Sequence, residues 1–78
     1  MSQQNLIDGC REVRRGSSNE PELPSVVICE LPEPEGGFKE GAERYVVWDL
    51  DRRGNPSYGY YTQTLKVALV SFKSRTTR

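Results

Sequence analysis

Two apolar runs on either side of a turn, in YVVWDLDRRGNPSYGYYT, limit the fold of this chain more than any other stretch. Residues 44–50 are rich in β-branched and aromatic residues, which favours a strand. Gly54 and Asn55 tolerate positive φ and stand before the rigid Pro56, so DRRGNP predicts a turn. We therefore expect residues 57–61 to return antiparallel to the first run.

One more strand and a helix are predicted on the two sides of this hairpin. SVVICEL, residues 25–31, lies between prolines and is rich in β-branched residues, which is typical of a strand. LPEPEGGFKEGAE, residues 31–43, contains two prolines and three glycines and predicts an exposed loop. After the hairpin, Thr62 or Thr64 can cap a helix. The apolar residues at helical spacing within it are Leu65, Ala68, Leu69 and Phe72.

The first 24 residues are polar and interrupted by glycine, serine and proline, which favours a flexible arm. Leu6, Cys10 and Val13 have i, i+4, i+7 spacing, so a short N-terminal helix is the alternative. The sequence thus predicts an α+β fold of β-β-β-α order, in which a three-stranded antiparallel sheet is packed by a C-terminal helix. Its expected extents are an arm at 1–24, the domain at 25–75 and a disordered tail at 76–78.

Length and charge exclude several classes of protein. A chain of 78 residues forms one small domain with limited burial. Lys+Arg and Asp+Glu both number 11, which argues against a globally basic nucleic-acid binder. The chain has neither an apolar run of membrane-spanning length nor the apolar run of a signal peptide, so we expect no membrane partner and a cytoplasmic location. Cys10 and Cys29 are then expected to be reduced thiols.

The alternation of side chains along the strands gives the sheet two apolar faces. Val46, Trp48 and Leu50 share one face, and Tyr45 and Val47 lie on the other. A single helix covers one face, so we expect the other to be open to water, with these residues on it: Val26, Ile28, Tyr45, Val47 and Tyr61. Exposed apolar surface of this kind usually marks an interface. The N-terminal segment, a second copy of the chain or a different protein could cover it.

The residues that carry most enzyme chemistry are scarce in this sequence. There is no His, which removes the commonest general base and zinc ligand. Asp49 and Asp51 share a strand face, but a polar strand end that pairs with Arg52 or Arg53 explains them more simply. We therefore expect no catalytic residue, no metal site and no cofactor.

The pattern strand, Gly-containing turn, strand, Gly-aromatic-x-Thr and helix at residues 45–69 resembles the AP2-type and integrase arm-type DNA-binding domains. The matching positions are Trp48, Gly54, Gly59, Tyr60, Thr62 and Ala68. The resemblance implies a sheet laid in the major groove, with Arg52 and Arg53 contacting phosphates. Those families carry several basic residues on the sheet, whereas here Asp49 and Asp51 stand beside the arginines. Because phosphate contacts supply much of DNA affinity, this difference counts against DNA binding.

The first functional hypothesis is a non-enzymatic protein-interaction module, a regulator or inhibitor with the size and composition of small phage and mobile-element proteins. It binds a larger protein, or pairs with itself as a homodimer, through an aromatic and charged surface. DNA binding through the hairpin and a structural role in a larger assembly are the alternatives. The expected partner-binding residues are Tyr45, Tyr58, Tyr60, Tyr61, Arg52, Arg53, Glu33 and Glu35.

Overall fold

The structure, a computed structural model, describes residues 9–76. Within this range lie the strands β1 (Arg11–Glu20), β2 (Leu23–Glu30), β3 (Tyr45–Leu50) and β4 (Pro56–Thr62) and the helix α1 (Leu65–Thr76). The strands form one antiparallel sheet in the order β1-β2-β3-β4. The α+β class and the packing of the sheet by a C-terminal helix are confirmed. The sheet has four strands where the sequence predicted three.

The additional strand, β1, lies in the segment for which the sequence predicted an arm. Its composition is charged and polar, and its one large apolar side chain, Val13, is exposed. Pairing with β2, from Arg11 opposite Glu30 to Glu20 opposite Leu23, holds it in place. Tertiary pairing thus overrides local composition.

The remaining N-terminal and C-terminal predictions fall partly beyond the described range. The alternative of a short helix is wrong for residues 11–20, which are extended. Residues 1–8 of the predicted arm and residues 77–78 of the predicted tail lie outside the described residues. Thr76, assigned to the tail, is the last residue of α1.

The helix α1 begins where the sequence placed it. Thr64 Oγ1 accepts a hydrogen bond from the Val67 amide at 3.3 Å, which caps the first turn. Ala68 and Phe72 are buried as predicted, whereas Leu69 is 36% exposed and lies outside the buried stripe. Within residues 9–76 no helix has the length and apolarity needed to cross a membrane.

The helix covers the sheet face that the sequence analysis left open to water. Val26, Ile28 and Val47 are fully buried there together with two residues of α1, and Tyr45 packs partly buried against this cluster. The expectation that Val26, Ile28, Tyr45 and Val47 are exposed is therefore wrong. Alternation along the strands separates the two faces, but it does not determine which of them the helix covers.

The opposite face is buried as well. Its core cluster consists of Cys10, Val27, Cys29, Val46 and Leu50, with Leu31 and Trp48 partly buried against it. Cys10 and Cys29 are both buried here, and no disulfide joins them. Trp48, which alternation along the strand places on the same face as Val46 and Leu50, thus packs at the margin of this second cluster.

A close approach between Trp48 and Gly59 shapes the middle of β4. Val47 pairs with Tyr60 and Asp49 pairs with Ser57, so Trp48 opposes two residues of β4 in a bulge. A Cβ built on Gly59 would lie 2.5 Å from Cζ3 of the indole. Only glycine leaves room for this ring, which also meets Tyr61 edge-to-face, with 5.9 Å between the ring centroids.

Replacement of Gly59 by Ala should destabilise the fold, because the added methyl group overlaps the Trp48 ring. We expect a loss of about 1–3 kcal/mol in the free energy of unfolding, measured by denaturant titration. In a Trp48→Phe background the smaller ring leaves space, and the same Gly59→Ala change should cost less. Equal losses in both backgrounds would show that the indole does not set the requirement for glycine.

Candidate protein-interaction surface

The exposed large apolar side chains of the described residues gather on two neighbouring elements. Apart from Val13 on β1, all of them lie on β4 or α1. Tyr58 is 72% exposed and Tyr60 is 46% exposed on β4, and Val70 is 65% exposed on α1. The apolar area that stays in water does not contribute to hydrophobic burial in the domain, and a contiguous patch of it usually marks an interface.

A groove of about 310 Å³ runs between β4 and α1. It is lined by Tyr60, Val67, Val70, Ser71, Ser74 and Arg75, and we call it the β4–α1 groove. The four α1 residues from Val67 to Ser74 are spaced i, i+3, i+4 and i+7, so they form one face of the helix. This face is uncharged and is distinct from the buried stripe.

The arginine at the end of the groove is already paired. Arg75 Nη1 donates hydrogen bonds to the Asp49 carboxylate at 3.3 Å and to the Val47 carbonyl at 3.4 Å. Both side chains are mostly buried in this ion pair. The β4–α1 groove therefore offers apolar and hydroxyl groups rather than free charge.

Three of the predicted partner-binding residues lie together on β4. Adjacent residues of a strand point to opposite faces, so at least one of these rings is expected at the surface, and Tyr58, Tyr60 and Tyr61 are all exposed. Tyr60 lines the β4–α1 groove, and Tyr61 lies on the opposite face beside Trp48. Tyr58 has a φ of 55°, which is a left-handed backbone conformation that is uncommon for residues other than glycine. Tyr45 does not join them, since it packs against the cluster under α1.

The predicted charged residues are exposed but lie apart from the tyrosines. Arg52 and Arg53 occupy the turn after β3, where they line a second groove with Glu22 and Asp51. The arginines thus share their surface with carboxylates, an arrangement that does not favour a phosphate.

The two predicted glutamates are in the long connection before β3. Glu33 and Glu35 are exposed there, at the opposite end of β3 from the arginines. Arg44 lies over the ring of Phe38 in the same connection, 5.0 Å from the ring centroid. The structure therefore does not bring Glu33, Glu35, Arg52 and Arg53 into one site with the tyrosines.

The helical side of the surface was not predicted from the sequence. Val67 and Val70 fall outside the predicted buried stripe of α1, and no role was assigned to them. Two branched apolar residues at i and i+3 on the outer side of a short helix are the feature that could have identified it.

The two aspartates near the hairpin turn have structural roles. Asp51 Oδ1 accepts hydrogen bonds from the amides of Asn55 and Arg53, both at 2.8 Å. These bonds, the one from the Asn55 amide first, hold the pKa of the Asp51 carboxyl below its ordinary value. Asp51 thus pairs with the backbone of Arg53 rather than with its guanidinium. In the described part of the chain, no three His, Cys, Asp or Glu residues form a group suited to a metal ion.

Comparison with protein-family models, with curated proteins and with solved structures found no match. The likeness of residues 45–69 to AP2-type and integrase arm-type domains remains a likeness of pattern.

The buried thiol of Cys29 is held in its protonated form. Burial raises the pKa of Cys29 to about 12, and the nearby Cys10 and Glu12 add to the effect. A thiol in this state is a poor nucleophile and acts as a small apolar side chain.

Stability should therefore fall at alkaline pH. The folded state keeps the Cys29 proton, while the unfolded chain releases it above a pKa of about 8.5. The stabilisation is complete below pH ~8.5 and is lost as pH rises toward 12, at up to about 1.4 kcal/mol per pH unit. Denaturant titrations at several alkaline pH values should show a shallower decline for Cys29→Val than for the wild type. Parallel declines would contradict the assignment.

Proposed function

We propose that this chain is a small non-enzymatic protein-interaction module, a regulator or inhibitor that acts by binding protein through β4 and α1. The supporting observation is the β4–α1 groove, whose one charged lining residue is already paired, together with the exposed Tyr58 and Val70 on the two elements that form it. Tyrosine is enriched at protein interfaces, because its ring gives apolar contact and its hydroxyl retains a hydrogen bond.

The composition of the groove indicates the type of contact. Val67 and Val70 supply apolar area, and Ser71 and Ser74 are short enough to allow a partner's backbone to come close. The one charged lining residue, Arg75, is already engaged with Asp49. A partner would therefore gain mainly from burial of apolar surface, which contributes roughly 25 cal/mol per Å².

The test is affinity capture with matched variants of the intact chain. Wild type, Tyr60→Ser/Val70→Ser and a control, Val13→Ser, are immobilised and exposed to source-cell extract supplemented with the untagged chain. Val13 is 37% exposed on the far edge of the sheet, so its replacement alters a comparable apolar group away from the groove. Capture of a protein by wild type and control should fall at least tenfold for the double variant, a change of about 1.4 kcal/mol.

Two results would decide against the proposal. One is a set of captured proteins that does not differ between wild type and Tyr60→Ser/Val70→Ser. The other is capture that Val13→Ser removes as fully as the double variant does. Denaturant unfolding of each variant, expected within about 0.5 kcal/mol of wild type for exposed positions, shows that loss of capture is not loss of fold.

A further inference from the structure

The two edges of the sheet formed by residues 9–76 differ in how they are protected. β1 carries five charged side chains: Arg11, Glu12, Arg14, Arg15 and Glu20. β4, with the sequence PSYGYYT, carries none. Charged residues, prolines and bulges are the usual means by which an edge strand avoids pairing with another chain. In β4, Pro56 and the bulge at residues 58–59 protect only the first half.

The second half of β4 has backbone groups that point outward. The Thr62 carbonyl accepts a hydrogen bond from the Arg44 amide at 2.9 Å, so it is directed toward the interior of the sheet. Hydrogen-bonding groups alternate between the two sides along an antiparallel strand. The amide and carbonyl of Tyr61 therefore face away from β3, on the edge where the described sheet ends.

Building on the proposed function, we propose that the partner at this edge is a second copy of the chain, with β4 paired antiparallel to β4 about a two-fold axis. In such a contact each residue meets its own equivalent or a close neighbour, so any charge would be placed near its like. β4 and the helical face beside it carry no free charge and tolerate this arrangement. The arginines of β1 do not.

Electrostatics also favours a second copy of the chain over a charged protein as the partner at this edge. Lys+Arg and Asp+Glu each total 11, so two copies approach without net repulsion. A strongly acidic or basic partner would find no complementary charge in the β4–α1 groove, since Arg75 is paired with Asp49. The surface thus suits an uncharged counterpart, which the same surface of another copy provides.

The two-fold axis restricts the register of the pairing. An axis perpendicular to the sheet keeps each face on its own side, so Tyr60 can oppose Tyr60 of the other copy but cannot oppose Tyr61. With Tyr60 on the axis, Tyr61 opposes Gly59 and its outward groups find partners. Both helices then lie on the same face of an eight-stranded sheet, and the two β4–α1 grooves meet at the axis.

A charge-pair experiment on the full chain tests this arrangement. Sedimentation equilibrium should show a concentration-dependent dimer for the wild type and for the control Val13→Lys. Tyr60→Lys and Tyr60→Glu should each be monomeric, because the axis places two like charges side by side. An equimolar mixture of the two variants should recover the dimer, since opposite charges then meet across the axis.

Each other outcome overturns the inference. It fails if the wild type stays monomeric up to about 1 mM, because any self-association is then weaker than a Kd of about 1 mM. It also fails if a dimer persists in Tyr60→Lys, or if the mixed variants do not associate. The proposed function is judged separately: a monomeric chain that still captures another protein through Tyr60 and Val70 would refute the second copy and retain the interaction surface.

Discussion

The burial of both faces of the two central strands is the constraint on which the rest of this structure depends. Four consecutive residues of β2, from Val26 to Cys29, are fully buried, so neither face of that strand can meet water. An antiparallel strand usually alternates between core and solvent, whereas a continuous apolar run requires cover on both sides. The helix α1 supplies one cover, and Cys10, Leu31 and Trp48 pack on the other side.

Since both faces of the sheet are closed in the middle, its edges and the outer side of the helix become the surfaces available for recognition. The two edge strands differ in charge, since β1 carries five charged side chains and β4 carries none. On the β1 side, the guanidinium of Arg14 lies over the buried Phe72 ring, 5.5 Å from its centroid, so a charged group covers this part of the core. On the β4 side, the edge strand carries no charged side chain that could cover the core in this way, and its tyrosines lie at the surface.

Much of this fold could be predicted from the sequence, because β2, β3, β4 and α1 each carry a local pattern: β-branched runs, a Gly-Asn-Pro turn and a capped apolar stripe. β1 could not, since its pairing with β2 is a long-range effect that its own residues do not encode. Alternation within YGYY required at least one of the three tyrosines to be exposed, and all three are. The covered face and the contribution of Val67 did not, because the placement of the helix depends on packing between distant elements, such as Phe72 against Gly16.

The contact between Trp48 and β4 makes the indole an internal reporter on the β4 edge of the sheet. It is the one tryptophan in the chain, it rests on the backbone of Gly59 and it touches Tyr61, whose backbone faces outward. Its Nε1 is buried and has no hydrogen-bond partner within residues 9–76. Any shift of β4 alters the surroundings of this ring, so the fluorescence of the unmodified protein should register events at that edge without an added dye.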